Sequence, residues 1–290
     1  MLALIRTLRP RQWFKNSFVG VPLLFGQRLT DPDSVLRTAN AFVLFCLVSG
    51  CVYVINDIVD IEKDRLHLHK RHRPIAAGEL SLTVARAFVI VTIPLAMVSG
   101  YWLAPLYAAT LGGYFALNLA YSFWLKQVGY LDVLSIATGF ILRVLGGAFC
   151  ISLAPSPWLL WCTGLLAMFL GFGKRAHELA TSPDPLRQRS ALAHYNLTTL
   201  RWILHVLAIA IVVVYAFYTR SQHVAETFGT DALTYTVPFS VIGILRFIHL
   251  TTNRPHGESP TEEMLRDPLF MFNFAAWTIT TAAILYGYIG

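Results

Sequence analysis

Asn56-Asp57-Ile58-Val59-Asp60-Ile61-Glu62-Lys63-Asp64 closes a long apolar run, and a basic stretch, Lys70-Arg71-His72-Arg73-Pro74, follows it. A run that ends this way sets its carboxylates at or just inside a membrane boundary. Asn56, Asp60 and Asp64 stand four residues apart. On a helix each step of four turns the side chain by only about 40°, so the three share a stripe roughly 12 Å long. Carboxylates within a membrane are costly unless paired or metal-bound, and they mark functional positions. Oxygen ligands on one helix face suit Mg2+, which takes one or two carboxylates together with substrate phosphates. The basic stretch can take phosphate charge that the metal leaves over. The plainer alternative, a solvated helix end of mixed charge, gives no reason for the apolar run leading into the acids.

Composition sets the frame for that stretch. The 290 residues are 56% hydrophobic and 13% charged, with a mean hydropathy of +0.56. Soluble domains carry about twice that charged fraction, so the chain reads as an all-α, polytopic membrane protein. Nine stretches approach the length needed to span a bilayer, at about 14–30, 36–57, 82–102, 104–124, 131–152, 156–174, 200–219, 233–250 and 268–289. The first is short and broken by Pro22. No segment reads as independent, so residues 1–290 are expected to form a single domain.

Basic residues decide orientation. Arg6, Arg9, Arg11 and Lys15, the cluster from Lys63 to Arg73, Lys126, the group from Lys174 to Arg201, and Arg246, Arg254 and Arg266 alternate with nearly chargeless connections that hold Arg28, Arg37 and Arg220. The positive-inside rule puts the N-terminus and the Asn56–Asp64 stripe on the cytoplasmic side of the membrane. The same rule accounts for most of the net charge of +7, and no nucleic-acid module is apparent. The N-terminus lacks an apolar core with a cleavage site, so no signal peptide is expected. Cys46, Cys51, Cys150 and Cys162 sit in apolar runs without paired spacing and read as small buried hydrophobes.

Other charges carry two readings each. Lys174-Arg175-Ala176-His177-Glu178 ends the sixth stretch. It is either a local ion pair between Lys174 and Glu178 or a second face of the same site, with the basic pair binding phosphate and Glu178 a metal or a hydroxyl. Arg143 lies about twelve residues, or roughly 17 Å, into the fifth stretch. At that depth an arginine costs at least ~2.5 kcal/mol and must face a polar cavity, a buried acid or helix carbonyls. The glycines beside it, Gly146 and Gly147, together with Gly112 and Gly113, suit close helix packing, within the chain or in a homo-oligomer. Asn118, Tyr121 and Lys126 gather at an inner helix end, where Lys126 either snorkels or meets substrate. His67, His69 and His72 suggest zinc, yet their dense basic surroundings fit a solvated loop better.

Taken together these residues resemble the UbiA superfamily of membrane-embedded prenyltransferases. Asn56-Asp57-x-x-Asp60-x-x-x-Asp64, followed by Lys70-Arg71-x-Arg73-Pro74-Ile75-Ala76-Ala77-Gly78, looks like that superfamily's first aspartate-rich motif. The pieces Arg9-Pro10-Arg11-Gln12-Trp13-x-Lys15-Asn16, Tyr121-Ser122-x-x-Leu125-Lys126, Gly139-Phe140-x-x-Arg143-x-x-Gly146-Gly147 and Gly173-Lys174-Arg175-x-x-Glu178 are most similar to the branch of decaprenyl-phosphate phosphoribosyltransferases. The usual second aspartate-rich motif is missing, and Lys174-Arg175-x-x-Glu178 stands in its place.

The resemblance implies a nine-helix bundle with a polar cavity open to the cytoplasm, and a reaction. Phosphoribosyl diphosphate and a polyprenyl phosphate yield a lipid-linked phosphoribose and diphosphate, a step toward arabinan in bacterial cell walls. Mg2+ on Asn56, Asp60 and Asp64 would bind the diphosphate, and Lys70, Arg71 and Arg73, or Lys174 and Arg175, the remaining phosphate charge. Glu178 would meet ribose hydroxyls or a second metal, and Lys15, Lys126 or Arg143 the lipid phosphate. The alternative is an aromatic prenyltransferase with the same first motif, which would transfer the lipid rather than the sugar. A transporter would be favoured by internal repeats, and none is evident.

Overall fold

A computed structural model describes residues 2–67, 70–181, 190–253 and 260–287, which are mostly helical with no strand among them. Two compact units divide the chain. The first comprises Met1–Phe123 and Gly139–Pro155, the second Trp124–Thr138 and Ser156–Gly290.

In the first unit α1 (Leu2–Leu8), a 3₁₀ segment (Pro10–Gly20) and α2 (Val21–Phe25) precede α3 (Pro32–Val59) and the short α4 (Ile61–Leu66). Then come α5 (Leu82–Leu103), α6 (Pro105–Phe123) and the later part of α7 (Leu131–Cys150). Helix starts follow the local chemistry. Asp31 accepts a hydrogen bond from the Asp33 N–H with Pro32 at the first helical position, and Ser81 accepts one from Val84. α3 is the central element, packing against α1, the 3₁₀ segment, α5 and α6. Its Phe45 meets Tyr107 and Tyr114 edge-on, and the Tyr107 hydroxyl donates to the Ala41 carbonyl at 2.8 Å. Arg37 donates to the last carbonyls of two other helices, Leu103 at 2.5 Å and Cys150 at 2.6 Å, where the helix dipole favours a cation.

The second unit holds the start of α7, then α8 (Pro157–Thr181), α9 (Leu197–Thr219), α10 (Gln222–Phe228), α11 (Val237–Asn253), α12 (Pro260–Arg266) and α13 (Pro268–Leu285). Asn196 and Asp267 cap α9 and α13 through backbone N–H groups. Val133, Phe169, Phe172, Leu204 and Phe247 form its core.

Among the described residues, seven helices are long and apolar enough to cross a membrane. They begin at Pro32, Leu82, Leu131, Pro157, Leu197, Ala232 (through the 3₁₀ turn Ala232–Thr236 that leads into α11) and Pro268, close to the sequence expectation. α6 is a 19-residue helix at the expected place but less apolar, because Asn118 and its tyrosines dilute it. The stretch 14–30 differs from expectation, being a 3₁₀ segment and a five-residue helix rather than one span. Pro22 removes a donor there, and Arg9 and Gln27 turn the backbone at positive φ. Polar side chains inside the run bond to neighbours: Asn16 donates to the Ser49 hydroxyl and to Cys46 Sγ at 3.2 Å each.

The glycine pair Gly146-Gly147 serves packing inside the first unit. A Cβ on Gly147 would sit 2.0 Å from the Val19 carbonyl oxygen, and one on Gly146 2.8 Å from the Phe45 ring. Gly113 has only ordinary contact, 3.9 Å from Leu142. Gly147→Ala is therefore expected to cost about 1–3 kcal/mol through overpacking, and Gly113→Ala little. Thermal unfolding in detergent checks this, and equal melting temperatures for the two variants would refute it.

Candidate active site

The stripe keeps its helical register through a break. α3 ends at Val59, and Asp60 occupies its C-cap. The Asp60 N–H donates to Asn56 O at 2.9 Å and the Asp64 N–H to Asp60 O at 2.8 Å, so four-residue spacing continues into α4. Asn56 and Asp60 are half-buried, and neither side chain has a protein partner among the described residues. Asp64 is buried, with Oδ2 accepting from Arg73 Nη1 at 2.6 Å.

The same Arg73 nitrogen reaches Asp57 Oδ1 at 3.1 Å, and Arg9 Nη2 donates to that oxygen at 2.6 Å. Asp57 is 2% exposed, and the Arg9 guanidinium also lies over the Tyr53 ring at 4.8 Å. Asp57 thus anchors two arginines, and Arg73 bridges the two buried carboxylates. Lys70 and Arg71, on the short helix Lys70–His72, are exposed. Neither has a carboxylate partner among the described residues. His69 of the zinc reading lies outside the described residues. Within them no group of three His, Cys, Asp or Glu side chains is gathered for a metal. Oxygen from Asn56 and Asp60, on successive turns, together with the Asp64 oxygen that Arg73 does not engage, is the donor set, and it fits a Mg2+ ion that draws its remaining ligands from substrate phosphate and water.

Arg143 is buried among neutral partners. Nε donates to Asn16 Oδ1 at 2.8 Å, Nη1 to Gly139 O at 2.9 Å and Nη2 to the Tyr114 hydroxyl at 2.8 Å. The rings of Tyr114 and Phe140 stack on it. The expected direct contact with a lipid phosphate is replaced by a clamp on the 3₁₀ segment that carries Lys15. Asn118 turns back to the Tyr114 carbonyl of its own helix, and Tyr121 is half-buried on α6. Lys126 belongs to the second unit, on the short helix Leu125–Gln127.

The second unit holds its own charged cluster. Arg175 is 1% exposed, with Nε 2.8 Å from Asp132 Oδ2 and Nη1 bonded to Glu178 Oε2. Arg175 therefore departs from the expected phosphate ligand, because its guanidinium is enclosed and committed to two carboxylates. Asp132 is fully buried, and its Oδ1 accepts from the Tyr195 hydroxyl at 2.5 Å. That hydroxyl in turn accepts the Tyr130 N–H at 2.7 Å. Burial and the bond to Asp132 push the Tyr195 phenol well above the usual tyrosine range. Glu178 remains 23% exposed, with Lys174 Nζ 4.0 Å away at ion-pair range.

Sequence reading missed the roles of Arg9, Asp132 and Tyr195. Arg9 and Asp132 carried a signal, as charges at the edges of apolar runs. Tyr195 carried none.

The comparisons bear on this arrangement. The UbiA prenyltransferase family matches residues 18–258. The decaprenyl-phosphate phosphoribosyltransferase of Mycolicibacterium smegmatis is 34% identical over 295 residues, covering 98% of this chain and 92% of that one. That of Corynebacterium glutamicum is 32% identical over 290 residues, covering 98% and 86%. Among solved structures, a UbiA homologue from Archaeoglobus fulgidus bound to GPP and Mg2+ superposes with a TM-score of 0.74 at 17% identity, over 98% of this chain and 99% of that one. A digeranylgeranylglyceryl phosphate synthase does so at 0.69 and 18% identity, over 98% and 97%. At such identities the structures share the fold.

Asp57→Ala would leave Arg9 and Arg73 without their common carboxylate, and is expected to cost about 3 kcal/mol of stability. Glu79→Ala, which opens only the exposed pair with Arg6, should cost well under about 1 kcal/mol. Denaturation of both variants in detergent measures the difference, and similar losses would refute the anchoring role.

Proposed function

The chain belongs to the UbiA prenyltransferase family, and within it we propose that it transfers 5-phosphoribose from phosphoribosyl diphosphate to a polyprenyl phosphate such as decaprenyl phosphate. The observation that carries this is similarity, over 98% of the chain, to curated phosphoribosyltransferases at 30–34% identity. The sequence at Lys174-Arg175-x-x-Glu178 supports it, since a prenyl-diphosphate enzyme of this family carries a second aspartate-rich motif there. The match at 18–258 crosses both compact units, which supports reading residues 1–290 as one catalytic domain.

In this reading the C1–oxygen bond to diphosphate breaks and an oxygen of the lipid phosphate bonds to C1. The acceptor is already an anion, so no general base is needed, and catalysis consists of positioning and charge stabilisation. Asn56 and Asp60, with the Asp64 oxygen that Arg73 leaves over, would hold Mg2+. When bound, that ion neutralises the diphosphate and stabilises it as it leaves. Arg73 holds Asp64 in place. Lys70, Arg71 and Lys174 would meet the donor's phosphates, and Glu178 would accept hydrogen bonds from ribose hydroxyls. Lys15, Tyr121 and Lys126 are the candidates at the lipid phosphate, with Arg143 fixing the segment that carries Lys15.

The distribution of basic residues supports a bacterial inner-membrane location with the N-terminus and the stripe toward the cytoplasm. α6 and the N-terminal segment would complete the nine-element bundle around a polar cavity on that side. The product suits a lipid-linked precursor of cell-wall arabinan. Any homo-oligomer would form through helix faces such as that of Gly112 and Gly113.

Purified protein in detergent, given Mg2+, polyprenyl phosphate and ribose-labelled phosphoribosyl diphosphate, should move label into the lipid fraction. Asp60→Asn or chelation should lower the rate by roughly two orders of magnitude or more. A folded enzyme that instead transfers a labelled prenyl group to an aromatic acid would replace this reading with the aromatic prenyltransferase.

A further inference from the structure

We propose that Asp132 and Tyr195 are positioning residues of the transfer, acting through Arg175 to fix the carboxylate of Glu178. The proposal rests on the phosphoribosyl-transfer reading. Of the four, Glu178 is the member with substantial exposure; Asp132, Arg175 and Tyr195 are buried. A ligand can therefore touch Glu178 while the other three act behind it.

The guanidinium is a rigid planar fork, so placing one edge fixes the direction of the other. Arg175 has its Nε edge 2.8 Å from Asp132 and bonds Glu178 through Nη1. Rotation of the Asp132 carboxylate is in turn stopped by Tyr195, whose hydroxyl takes Oδ1 at 2.5 Å and is itself fixed by the Tyr130 N–H at 2.7 Å. The chain of contacts runs from backbone to the partly exposed carboxylate, its middle link the Arg175–Asp132 ion pair. Asp132 does electrostatic work too. Its carboxylate faces Arg175, so the guanidinium is shared between Asp132 and Glu178. With a neutral Asn at position 132, Arg175 would turn its whole charge on Glu178.

The test is a double-mutant cycle with Asp132→Asn and Glu178→Gln, read by steady-state kinetics against both substrates. Asp132→Asn should lower kcat/KM for phosphoribosyl diphosphate about tenfold and leave KM for polyprenyl phosphate within about twofold, while adding almost no further loss in the Glu178→Gln background. A role confined to folding would depress both substrates alike and multiply with Glu178→Gln, and that result overturns the proposal. Tyr195→Phe deletes a single hydroxyl and should give the same donor-selective pattern at smaller size; it decides the matter if Asp132→Asn does not fold. Wild-type enzyme that moves no ribose label sinks the transfer reading itself, whereas independent losses in an active enzyme sink only the coupling.

Discussion

Each unit depends on one arrangement: a buried aspartate in a long apolar helix holds an arginine, and that arginine holds a second acid. In the first unit the order is Asp57, Arg73, Asp64, and in the second it is Asp132, Arg175, Glu178. Removing a carboxylate from water costs several kcal/mol, and a bare one would protonate or distort the helix. With the arginine supplied, the buried acid becomes a fixed point from which the second acid is aimed. Each buried aspartate meets a further donor, Arg9 on the same Asp57 oxygen that Arg73 reaches and Tyr195 on Asp132 Oδ1. The charge that is costly to bury thus determines where the useful charge points.

This arrangement divides the basic residues into two kinds that look alike in sequence. Arg73 and Arg175 are consumed by the protein's own carboxylates. Lys70 and Arg71 stand exposed, and Lys174 lies at ion-pair range of Glu178. Composition reveals only that cations cluster; which of them are spent internally depends on acids far away in the chain or on an adjacent turn. Arg143 is a third case, a cation solvated by an amide, a phenol and a carbonyl, with aromatic faces on either side. It is a structural clamp with no anionic partner among those contacts.

The long helices were legible because apolar runs of membrane length admit little else, and the stripe was legible because four-residue spacing survives the break at Asp60. The stretch 14–30 was misjudged for a physical reason. Hydropathy registers its apolar residues, while its conformation is set by Pro22, by two residues at positive φ, and by Asn16 bonding outward to Ser49 and Arg143. The partners of Asp57 and Asp132 were illegible because an ion pair between sequence-distant residues leaves no local pattern. Tyr195 illustrates the limit, since nothing about a tyrosine ahead of a helix cap announces a buried carboxylate above it.

The bond from Arg143 to Asn16 spans 127 residues, and that from Arg37 to Cys150 spans 113. Both close on α7, which leaves the ribosome long after the N-terminal segment and α3. Until then the irregular segment at Pro10–Gly20 has no clamp, and the Arg37 guanidinium waits beside the membrane with half its acceptors unmade. Synthesis of α7 is therefore the moment at which the first unit becomes whole. A chain truncated before residue 143 would lack the guanidinium that holds Asn16.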